Sequence, residues 1–265
     1  MSTRAAPLKP PARPSPAPPL ASDPVDVLYR DSRTMVLNKP AGVALQGQIG
    51  SPPHRRWQQL ISALRNLDGC SDARPVHRLD KSTSGALLFA LSSSSAKQLA
   101  QQLKQHDLKR TYLAVVHGQL KPGYEGDIDA RLRMDDDRVR LAEGGGEGVE
   151  ARTRWRCLSV APHFSLLELK PETGRKHQLR VHCADVLRAP IVGDFKISPS
   201  SPHASALSDL SLPLNTVLLH ASSLSYYSWL KSGKRITITA SAAPPPSFLR
   251  FCRAHKLALP VVEEP

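Results

Sequence analysis

One acidic residue in the chain lies among basic residues directly before a strongly apolar run. Asp80 follows His77 and Arg78, and a turn of small residues, Thr83-Ser-Gly85, leads into apolar residues 86–91. A short apolar run bounded by turn residues predicts a buried strand. The charged segment is therefore a loop attached to a rigid element, a common position for functional groups. A structural ion pair at the surface is the simpler interpretation of this loop. Further motifs must therefore decide whether the loop has a function.

An aromatic residue stands behind a second group of cations. Tyr112 follows Lys109 and Arg110 in the chain and begins a β-rich segment that extends to residue 117. Taken alone, this tyrosine is an ordinary strand residue, because aromatic side chains are common in strands. A functional role for it depends on what the remaining motifs show.

A third segment places positive charge at the beginning of a helix, which is predicted over residues 175–187. The cations of its first turns are Arg175, Lys176, His177 and Arg180. Positive charge at a helix N-terminus opposes the helix dipole and costs stability. An anion is therefore expected nearby, and Glu172, Asp80 or a phosphate could supply it.

Composition indicates a polyanionic partner. The 265 residues include 36 Lys and Arg against 23 Asp and Glu, a formal net charge of +13. Nucleic acid is favoured over a membrane surface, since no basic amphipathic helix stands out and no apolar run approaches the ~20 residues that span a bilayer.

The four cysteines form no Cys-x-x-Cys pair, and the five-residue spacing of His177 and His182 separates them on a helix. These spacings disfavour a metal site or a disulfide framework and favour a reducing compartment.

The first 24 residues differ in composition from the rest of the chain. They contain 8 of the 24 prolines, and their first acidic residue is Asp23. Such a segment cannot form a core, so we predict disorder for residues 1–24, one folded domain at 25–257 and a tail at 258–265. A basic, acid-poor segment resembles an organellar transit peptide, although prolines disfavour the amphipathic helix of such peptides. The mitochondrial matrix and the cytoplasm are therefore alternative compartments.

Strand and helix patterns predict an α+β fold. Strand patterns cover residues 25–29, 34–39, 111–117, 149–160, 164–170, 216–220 and 235–240, and residues 128–142 form a hairpin. Helical spacing covers residues 57–67, 175–187 and 248–257, and a capping box from Ser95 to Gln98 begins another helix. Strands dominate without a βαβ pattern, which favours a mostly antiparallel sheet with flanking helices. Residues 198–215 are rich in Ser and Pro and are expected to form a mobile loop.

Four segments, in the expected order, resemble the signatures of RluA-type pseudouridine synthases. The central segment is residues 77–85, His-Arg-Leu-Asp followed by two variable residues and then Thr-Ser-Gly. The other three are Asn38-Lys-Pro-Ala-Gly42, Lys109-Arg-Thr-Tyr112 and Gly174-Arg-Lys-His-Gln-Leu-Arg180. Residues 190–194 and 219–221 resemble weaker downstream motifs, so that the resemblance covers roughly residues 25–251.

The resemblance implies an enzyme that isomerises uridine to pseudouridine in structured RNA, bound in a central cleft of the pseudouridine synthase fold, without cofactor or metal. The N1–C1′ bond would break, the uracil would turn while bound, and C5 would join C1′. Asp80 would act on the ribose as nucleophile at C1′ or base at C2′, with Arg180 beside it to favour its ionised form. Tyr112 would stack on the uracil, and Arg78 would replace the nucleotide that flips out. The other predicted RNA-binding residues are Arg175, Lys176, His177 and Leu179.

Several alternatives remain open at this point. Ribosomal RNA is favoured over transfer RNA, and no obligate protein partner is evident. Arg152, Arg154 and Arg156 alternate along one strand, so they share either a solvated sheet face or an RNA-facing one. The main alternative function is a non-catalytic RNA-binding or ribosome-assembly factor on the same fold. A hydrolase of glycosidic bonds ranks last, because it needs a second carboxylate and Glu172 is the nearby candidate.

Overall fold

Eleven strands in the described part of the chain form one sheet, which is the framework of the fold. The computed structural model describes residues 26–45, 52–136, 138–142, 147–197, 216–230 and 232–260. In chain order the strands are β1 (Val27–Arg30), β2 (Thr34–Lys39), β3 (Arg74–Pro75), β4 (Ser84–Ala90), β5 (Lys109–His117), β6 (Glu125–Asp135), β7 (Arg138–Leu141), β8 (Val149–Val160), β9 (Phe164–Pro171), β10 (Leu219–Trp229) and β11 (Arg235–Ser241). They lie in the order β1-β2-β4-β10-β5-β9-β8-β6-β7, with β3 beside β4 and β11 beside β10. Among these strands β4 and β10 pair in parallel, and the other pairs are antiparallel.

This sheet confirms the predicted α+β class and its mostly antiparallel pairing. The main difference in the strands is β10, which was expected to end at residue 220 but continues to Trp229. Its second half alternates serines with the buried residues Leu224 and Tyr226, and it pairs with both β5 and β11. Serine favours turns over strands in a sequence, so the pairing partners, rather than the residue types, determine this part of the strand.

The first two helices begin at positions other than those predicted. Helix α1 (Pro52–Arg65) starts five residues before the predicted residue 57, because proline is well suited to the first turn of a helix. In α2 (Ser93–Lys104) the capping box starts at Ser92, and the predicted box that starts at Ser95 is wrong. The Ser92 side chain accepts a hydrogen bond from the Ser95 backbone N–H at 3.1 Å. Among several adjacent serines, the sequence does not distinguish which one is the cap.

The helix expected over residues 175–187 is shorter and less regular than predicted. Helix α3 (Gln178–Val181) begins after the cations and continues into a π-helical turn, His182–Val186. Its start is shifted because the Gln178 side chain accepts a hydrogen bond from the Arg175 backbone N–H at 3.0 Å, and because His177 has left-handed backbone angles. Most of the cations therefore precede the helix, and the expected conflict with its dipole does not arise. The closing helix α4 (Pro246–Ala254) lies slightly N-terminal to its prediction.

Strand β4 lies at the centre of the core, and all of its residues are buried. Leu87 and Phe89 pack on one face with Trp57 of α1, whereas Ala86 and Leu88 pack on the other face. Each fully buried large apolar side chain contributes about 1.5–3 kcal/mol of stabilisation, so the loop before β4 rests on a rigid support.

A glycine is required where β4 meets β10. Gly85 has φ of +112°, and a Cβ at this position would overlap the backbone carbonyl of Ala221. Only glycine adopts such an angle without strain and leaves room for this contact. The Thr-Ser-Gly turn therefore has a structural function: it holds the loop that carries Asp80 against the neighbouring strand.

Some predictions concern parts of the chain that lie outside the described residues. These are the disorder expected for residues 1–24, the mobile loop expected at 198–215 and most of the C-terminal tail. Among the helices of the described part of the chain, none is long and apolar enough to cross a membrane.

Candidate active site

A cavity of about 880 Å³ opens beside the loop that precedes β4. Its walls include side chains from α1, α2, β5 and α3 and from the segment that leads into α3. All eight residues singled out from the sequence line it: Arg78, Asp80, Tyr112, Arg175, Lys176, His177, Leu179 and Arg180. Motifs that are separated by up to a hundred positions in the chain thus meet at one site.

Asp80 and Arg180 form the ion pair that the resemblance implies. An Nη of Arg180 donates a hydrogen bond to Oδ2 of Asp80 at 3.2 Å. The Asp80 side chain keeps 18% of its surface exposed, whereas Arg180 keeps 6%, so the carboxylate is the more accessible of the two to a ligand. A fixed guanidinium beside a carboxylate stabilises its negative charge.

Arg180 has a second carboxylate partner, Asp194, which lies in the turn after α3. The Arg180 guanidinium donates two hydrogen bonds to Asp194, from Nε at 2.6 Å and from Nη at 2.5 Å. Burial lowers the pKa of Arg180, whereas the carboxylates of Asp194 and Asp80 raise it. The two carboxylates together outweigh the effect of burial, so the net shift of the Arg180 pKa is upward. Asp194 was quoted only as part of a weak downstream motif, and sequence reasoning gave it no role. The residues around Asp194 in the sequence do not indicate that its partner is Arg180.

The loop that carries Asp80 is held by backbone hydrogen bonds. The Thr83 N–H donates to the Asp80 carbonyl at 3.1 Å, and the Gly42 N–H donates to the Lys81 carbonyl at 2.7 Å. Lys39 closes the turn that contains Gly42, because its Nζ donates to the Val43 carbonyl at 3.1 Å. Burial lowers the pKa of Lys39 to about 7, although Asp80 raises it. The Asn-Lys-Pro-Ala-Gly motif therefore supports the loop that carries Asp80.

Two buried histidines also fix this loop. The Leu88 N–H donates to Nε2 of His77 at 3.2 Å, and burial together with Arg110 lowers the pKa of His77 to about 3. His220 joins Ser84 to the next strand, with Nδ1 at 2.9 Å from the Ser84 hydroxyl and Nε2 at 2.9 Å from the Ala242 carbonyl. Because a carbonyl can only accept, Nε2 carries the proton and Nδ1 accepts from Ser84.

Apolar side chains form one wall of the cavity. Tyr112 and Leu179 are 6% and 7% exposed, and Leu219 completes this wall. Burial raises the pKa of Tyr112, Arg110 lowers it to a smaller extent, and the net shift is upward. The phenol therefore stays protonated at neutral pH. A flat aromatic ring and branched apolar side chains suit the face of a planar base.

The cations before α3 form the other wall. Arg175 is exposed and donates from Nε to the Glu150 carbonyl at 2.9 Å, while Lys176 is half-buried. His177 faces inward instead: its Nε2 lies 4.0 Å from Oδ2 of Asp80, and its side chain is 9% exposed. The three consecutive residues thus occupy different positions in the cavity.

Comparison with known proteins identifies the family of this chain. Residues 33–185 match the family model described as RNA pseudouridylate synthase. The chain belongs to this family. Membership confirms the resemblance seen in the four motifs and the predicted class of enzyme, an isomerase, and it agrees with the α+β sheet described above.

Relatives in the RNA pseudouridylate synthase family differ in the RNA that their names specify. The chain is 40% identical over 193 residues to RNA pseudouridine synthase 4, mitochondrial, of Arabidopsis thaliana, a match that covers 64% of this chain and 40% of that protein. It is 34% identical over 221 residues to tRNA pseudouridine synthase C of Vibrio parahaemolyticus, covering 76% and 84%. It is 40% identical over 172 residues to ribosomal large subunit pseudouridine synthase D of Xanthomonas campestris, covering 64% and 51%.

A solved family member has the same fold. The structure of human RNA pseudouridylate synthase domain containing 4 superimposes with a TM-score of 0.70 and 25% sequence identity, and the match covers 89% of this chain and 94% of that one. This agreement confirms the predicted pseudouridine synthase fold.

Sequence reasoning missed several cations of the pseudouridine synthase cavity. Arg65, Lys104 and Arg110 also line it. Arg110 donates from an Nη to the Thr173 carbonyl at 3.2 Å, while its buried Nε has no hydrogen-bond partner among the described residues. Glu172, the candidate acid of a hydrolase, is exposed where it lines the cavity. Helical or strand spacing does not reveal that these residues face one space, because they lie on separate elements.

Proposed function

We propose that this protein isomerises uridine to pseudouridine in RNA, with Asp80 as the catalytic carboxylate. The observation that carries the proposal is the position of Asp80, which is paired with Arg180 at 3.2 Å in a cavity that Tyr112 also lines. The arrangement places a charged oxygen next to an aromatic, apolar surface. It therefore suits a nucleoside: the ribose needs a nucleophile or a proton acceptor, and the attached nucleobase needs a stacking surface.

The proposed reaction uses only side chains of the chain itself. Asp80 acts on the ribose, either as nucleophile at C1′ or as base at C2′, and the bond from N1 to C1′ breaks. Tyr112 and Leu179 hold the freed uracil while it turns, and C5 then joins C1′. Partial burial of Asp80 strengthens the effect of its charge, because electrostatic interactions are stronger away from bulk solvent.

Access to the glycosidic bond requires the target nucleotide to leave the RNA stack. Extrusion costs a few kcal/mol, which contacts elsewhere must offset. Arg78 is exposed at the mouth of the cavity, two residues before Asp80, and we assign it to the space that the extruded nucleotide leaves.

The distribution of charge favours the cavity over the sheet as the RNA-binding surface. The cavity is lined by many more Lys and Arg residues than carboxylates, the latter being Asp80 and Glu172. On the exposed face of β8, in contrast, each arginine is paired with a carboxylate: Arg152 with Asp129, Arg154 with Asp127 and Arg156 with Glu168. Paired charges attract a polyanion weakly, so the solvated interpretation of that face is favoured.

Replacing Arg175 by Gln is expected to weaken RNA binding, and its dependence on salt should become shallower. Loss of one phosphate contact reduces the slope of log Kd against log salt concentration by about 1. The matched control is Arg154→Gln, the same change at an exposed arginine paired with Asp127 at 3.0 Å. Filter binding across a salt series measures both variants. Equal slopes for the two variants would contradict the assignment of the cavity as the RNA-binding surface.

Ribosomal RNA is the proposed substrate and the mitochondrial matrix the proposed compartment. Support comes from the 40% identity to a ribosomal large subunit synthase and to a plant mitochondrial synthase, against 34% to a tRNA synthase. The N-terminal segment is also basic and poor in acids. The proposed substrate and compartment are separate from the proposed reaction. Either of them can be wrong while the proposed reaction still holds.

Two assays together test the reaction, the substrate and the compartment. Purified protein is expected to release tritium from host RNA labelled at uridine C5, since C5 loses its hydrogen in the reaction. Chemical mapping of pseudouridine in mitochondrial, cytosolic ribosomal and transfer RNA, with and without the gene, then locates the target. A site missing only from transfer RNA would overturn the ribosomal assignment, and no tritium release from any host RNA would refute the reaction.

A further inference from the structure

Two large apolar side chains are exposed near the cationic wall of the cavity but outside the cavity itself. Met134 is 56% exposed and Phe195 is 40% exposed, although side chains of these types are usually buried. Neither is among the residues that line the cavity. Exposed apolar groups that lie together mark surfaces for a ligand or partner, so the surroundings of these two residues matter.

Met134 extends the buried face of the sheet past the core, at the end of β6. Successive residues of a strand point to opposite faces, so Met134 shares its face with Ile128 and Leu132, which are buried. Val149, which is 51% exposed, pairs with Leu132 from β8 and is therefore a diagonal neighbour of Met134. The end of the sheet thus presents two exposed apolar side chains on the face that packs against α3.

This apolar end of the sheet adjoins the cationic wall of the cavity. Nζ of Lys176 lies 4.0 Å from Sδ of Met134. Nε of Arg175 donates to the carbonyl of Glu150, the residue that follows Val149. Because Arg175 and Lys176 also line the cavity, an RNA strand that leaves the cavity along this wall would reach Met134.

The turn after α3 brings an aromatic ring and another lysine to the same region. Phe195 and Lys196 follow Asp194 directly, and both are exposed. Burial is the main cause that lowers the pKa of His177, and the charge of Lys196 lowers it further, which places this lysine near the cavity wall. Ile197 packs on the apolar cluster that joins β6, β7 and β8 to α3. The turn is therefore held against the same part of the sheet as Met134.

We propose that these residues form a second RNA-binding surface, which holds unpaired nucleotides next to the target uridine. This surface, which we term the rim surface, consists of Met134, Val149, Lys176, Phe195 and Lys196. The inference rests on the proposed function and narrows its substrate to uridines in loops or single-stranded regions of RNA.

The side chains of the rim surface suit unpaired RNA better than duplex RNA or a protein. Nucleobases offer their faces to aromatic and apolar side chains when they are unpaired, whereas duplex RNA presents mainly phosphates and 2′-hydroxyls. The lysines beside the apolar groups can contact the phosphates of the same strand. Lysine is depleted in protein–protein interfaces, so its presence here disfavours a protein partner.

The acidic turn between β6 and β7 does not oppose this assignment. Asp135 lies on the opposite face of β6 from Met134, because the two residues are consecutive in a strand. Its carboxylate lies 3.9 Å from Arg133 and 3.8 Å from Arg140. Residues 131–141 contain four arginines and three aspartates, so the net charge beside the rim surface stays positive.

Two RNA probes test the rim surface without any need for catalysis. They are a fluorescently labelled single-stranded oligouridylate and a duplex RNA of the same length, and anisotropy measures the affinity of the full chain for each. Phe195→Ala is expected to weaken binding of the single strand by at least about fivefold, the lower range for loss of one stacking contact. Met134→Ala should weaken it in the same direction, and neither variant should change the affinity for the duplex. Both side chains are exposed, so thermal unfolding of the variants should match that of the wild type.

Tyr124→Ala is the matched control. Tyr124 is 56% exposed, and Nζ of Lys121 lies 5.2 Å from the centre of its ring, so this aromatic side chain also has a lysine beside it. It precedes β6, whereas Met134 lies near the end of that strand, and ten residues of extended strand separate them by about 30 Å. Its loss should change neither affinity.

The same variants also show where the rim surface acts in the reaction. Since these side chains lie outside the cavity, Phe195→Ala should raise KM for tritium release from host RNA more than it lowers kcat. A lower kcat with unchanged KM would instead assign Phe195 to the positioning of Asp194 and would overturn its role in RNA binding.

The remaining outcomes separate the rim surface from the proposed function. Equal losses on both probes would overturn the assignment to unpaired RNA. A wild type that does not bind the single strand, or variants that bind it as well as the wild type does, would overturn the rim surface altogether. Self-association of the wild type that Phe195→Ala abolishes in analytical ultracentrifugation would assign the surface to a second copy of the chain. A wild type that binds the single strand through these residues but forms no pseudouridine would refute the proposed function and leave the RNA-binding surface in place.

Discussion

Replacing Asp80 by Asn is expected to abolish pseudouridine formation while the protein remains folded. Asparagine has nearly the same shape but can neither attack C1′ nor take a proton from C2′. Loss of a residue that forms or breaks bonds typically lowers the rate by at least about 10³-fold. Tritium release from RNA labelled at uridine C5 measures the rate, and thermal unfolding of the same preparation measures stability.

The fold is expected to survive because Arg180 has a second counter-ion. Its guanidinium keeps both hydrogen bonds to Asp194, at 2.6 and 2.5 Å, when Asp80 loses its charge. Asp129→Asn serves as a matched control, since Asp129 pairs with Arg152 at 3.1 Å on the exposed sheet face. This control should retain full activity. An active Asp80→Asn variant would refute the proposed mechanism and would favour a non-catalytic RNA-binding factor.

Local sequence patterns were sufficient to predict most strands of the sheet. The segment that became β8 alternates arginines with less polar residues, and the segment that became β9 is rich in apolar residues. Their predicted bounds agree with Val149–Val160 and Phe164–Pro171 to within one residue. Where the pattern is polar, the prediction stopped early: β10 continues through a serine-rich segment because its neighbours β5 and β11 supply the hydrogen bonds. Pairing between distant strands is not encoded in any single window of residues.

In the candidate site, too, the sequence motifs could be recognised, whereas contacts between distant residues could not be predicted. The motifs around Asp80, Tyr112 and Arg180 were recognisable because each is a compact string of residues. The start of α3 was misplaced because a side chain, that of Gln178, replaces the first helical hydrogen bonds. The second partner of Arg180 was missed because Asp194 lies 14 positions further along the chain. Contacts between separate elements depend on the tertiary fold, which no spacing rule describes.

Asp194→Asn is expected to damage both stability and activity, although Asp194 is not among the residues that line the cavity. Asp194 is 2% exposed and holds the buried Arg180 from the side opposite Asp80. Removing one partner of a buried ion pair typically costs about 3–5 kcal/mol, because a buried charge is left uncompensated. The freed Arg180 then depends on Asp80 alone, which we expect to pull the Asp80 carboxylate towards the guanidinium and away from the position proposed for the ribose. Urea unfolding and tritium release measure the two effects.

An exposed pair of the same type makes the comparison quantitative. Arg152 and Asp129 are 49% and 64% exposed, so Asp129→Asn should change stability by at most about 0.5–1 kcal/mol. If Asp194→Asn were equally mild, Arg180 would not need its second carboxylate, and the positioning of Asp80 would rest on the loop alone. A large loss of stability with unchanged rate per folded molecule would assign Asp194 to the fold only. A loss of both stability and rate would show that Asp194 positions Asp80 for the proposed reaction.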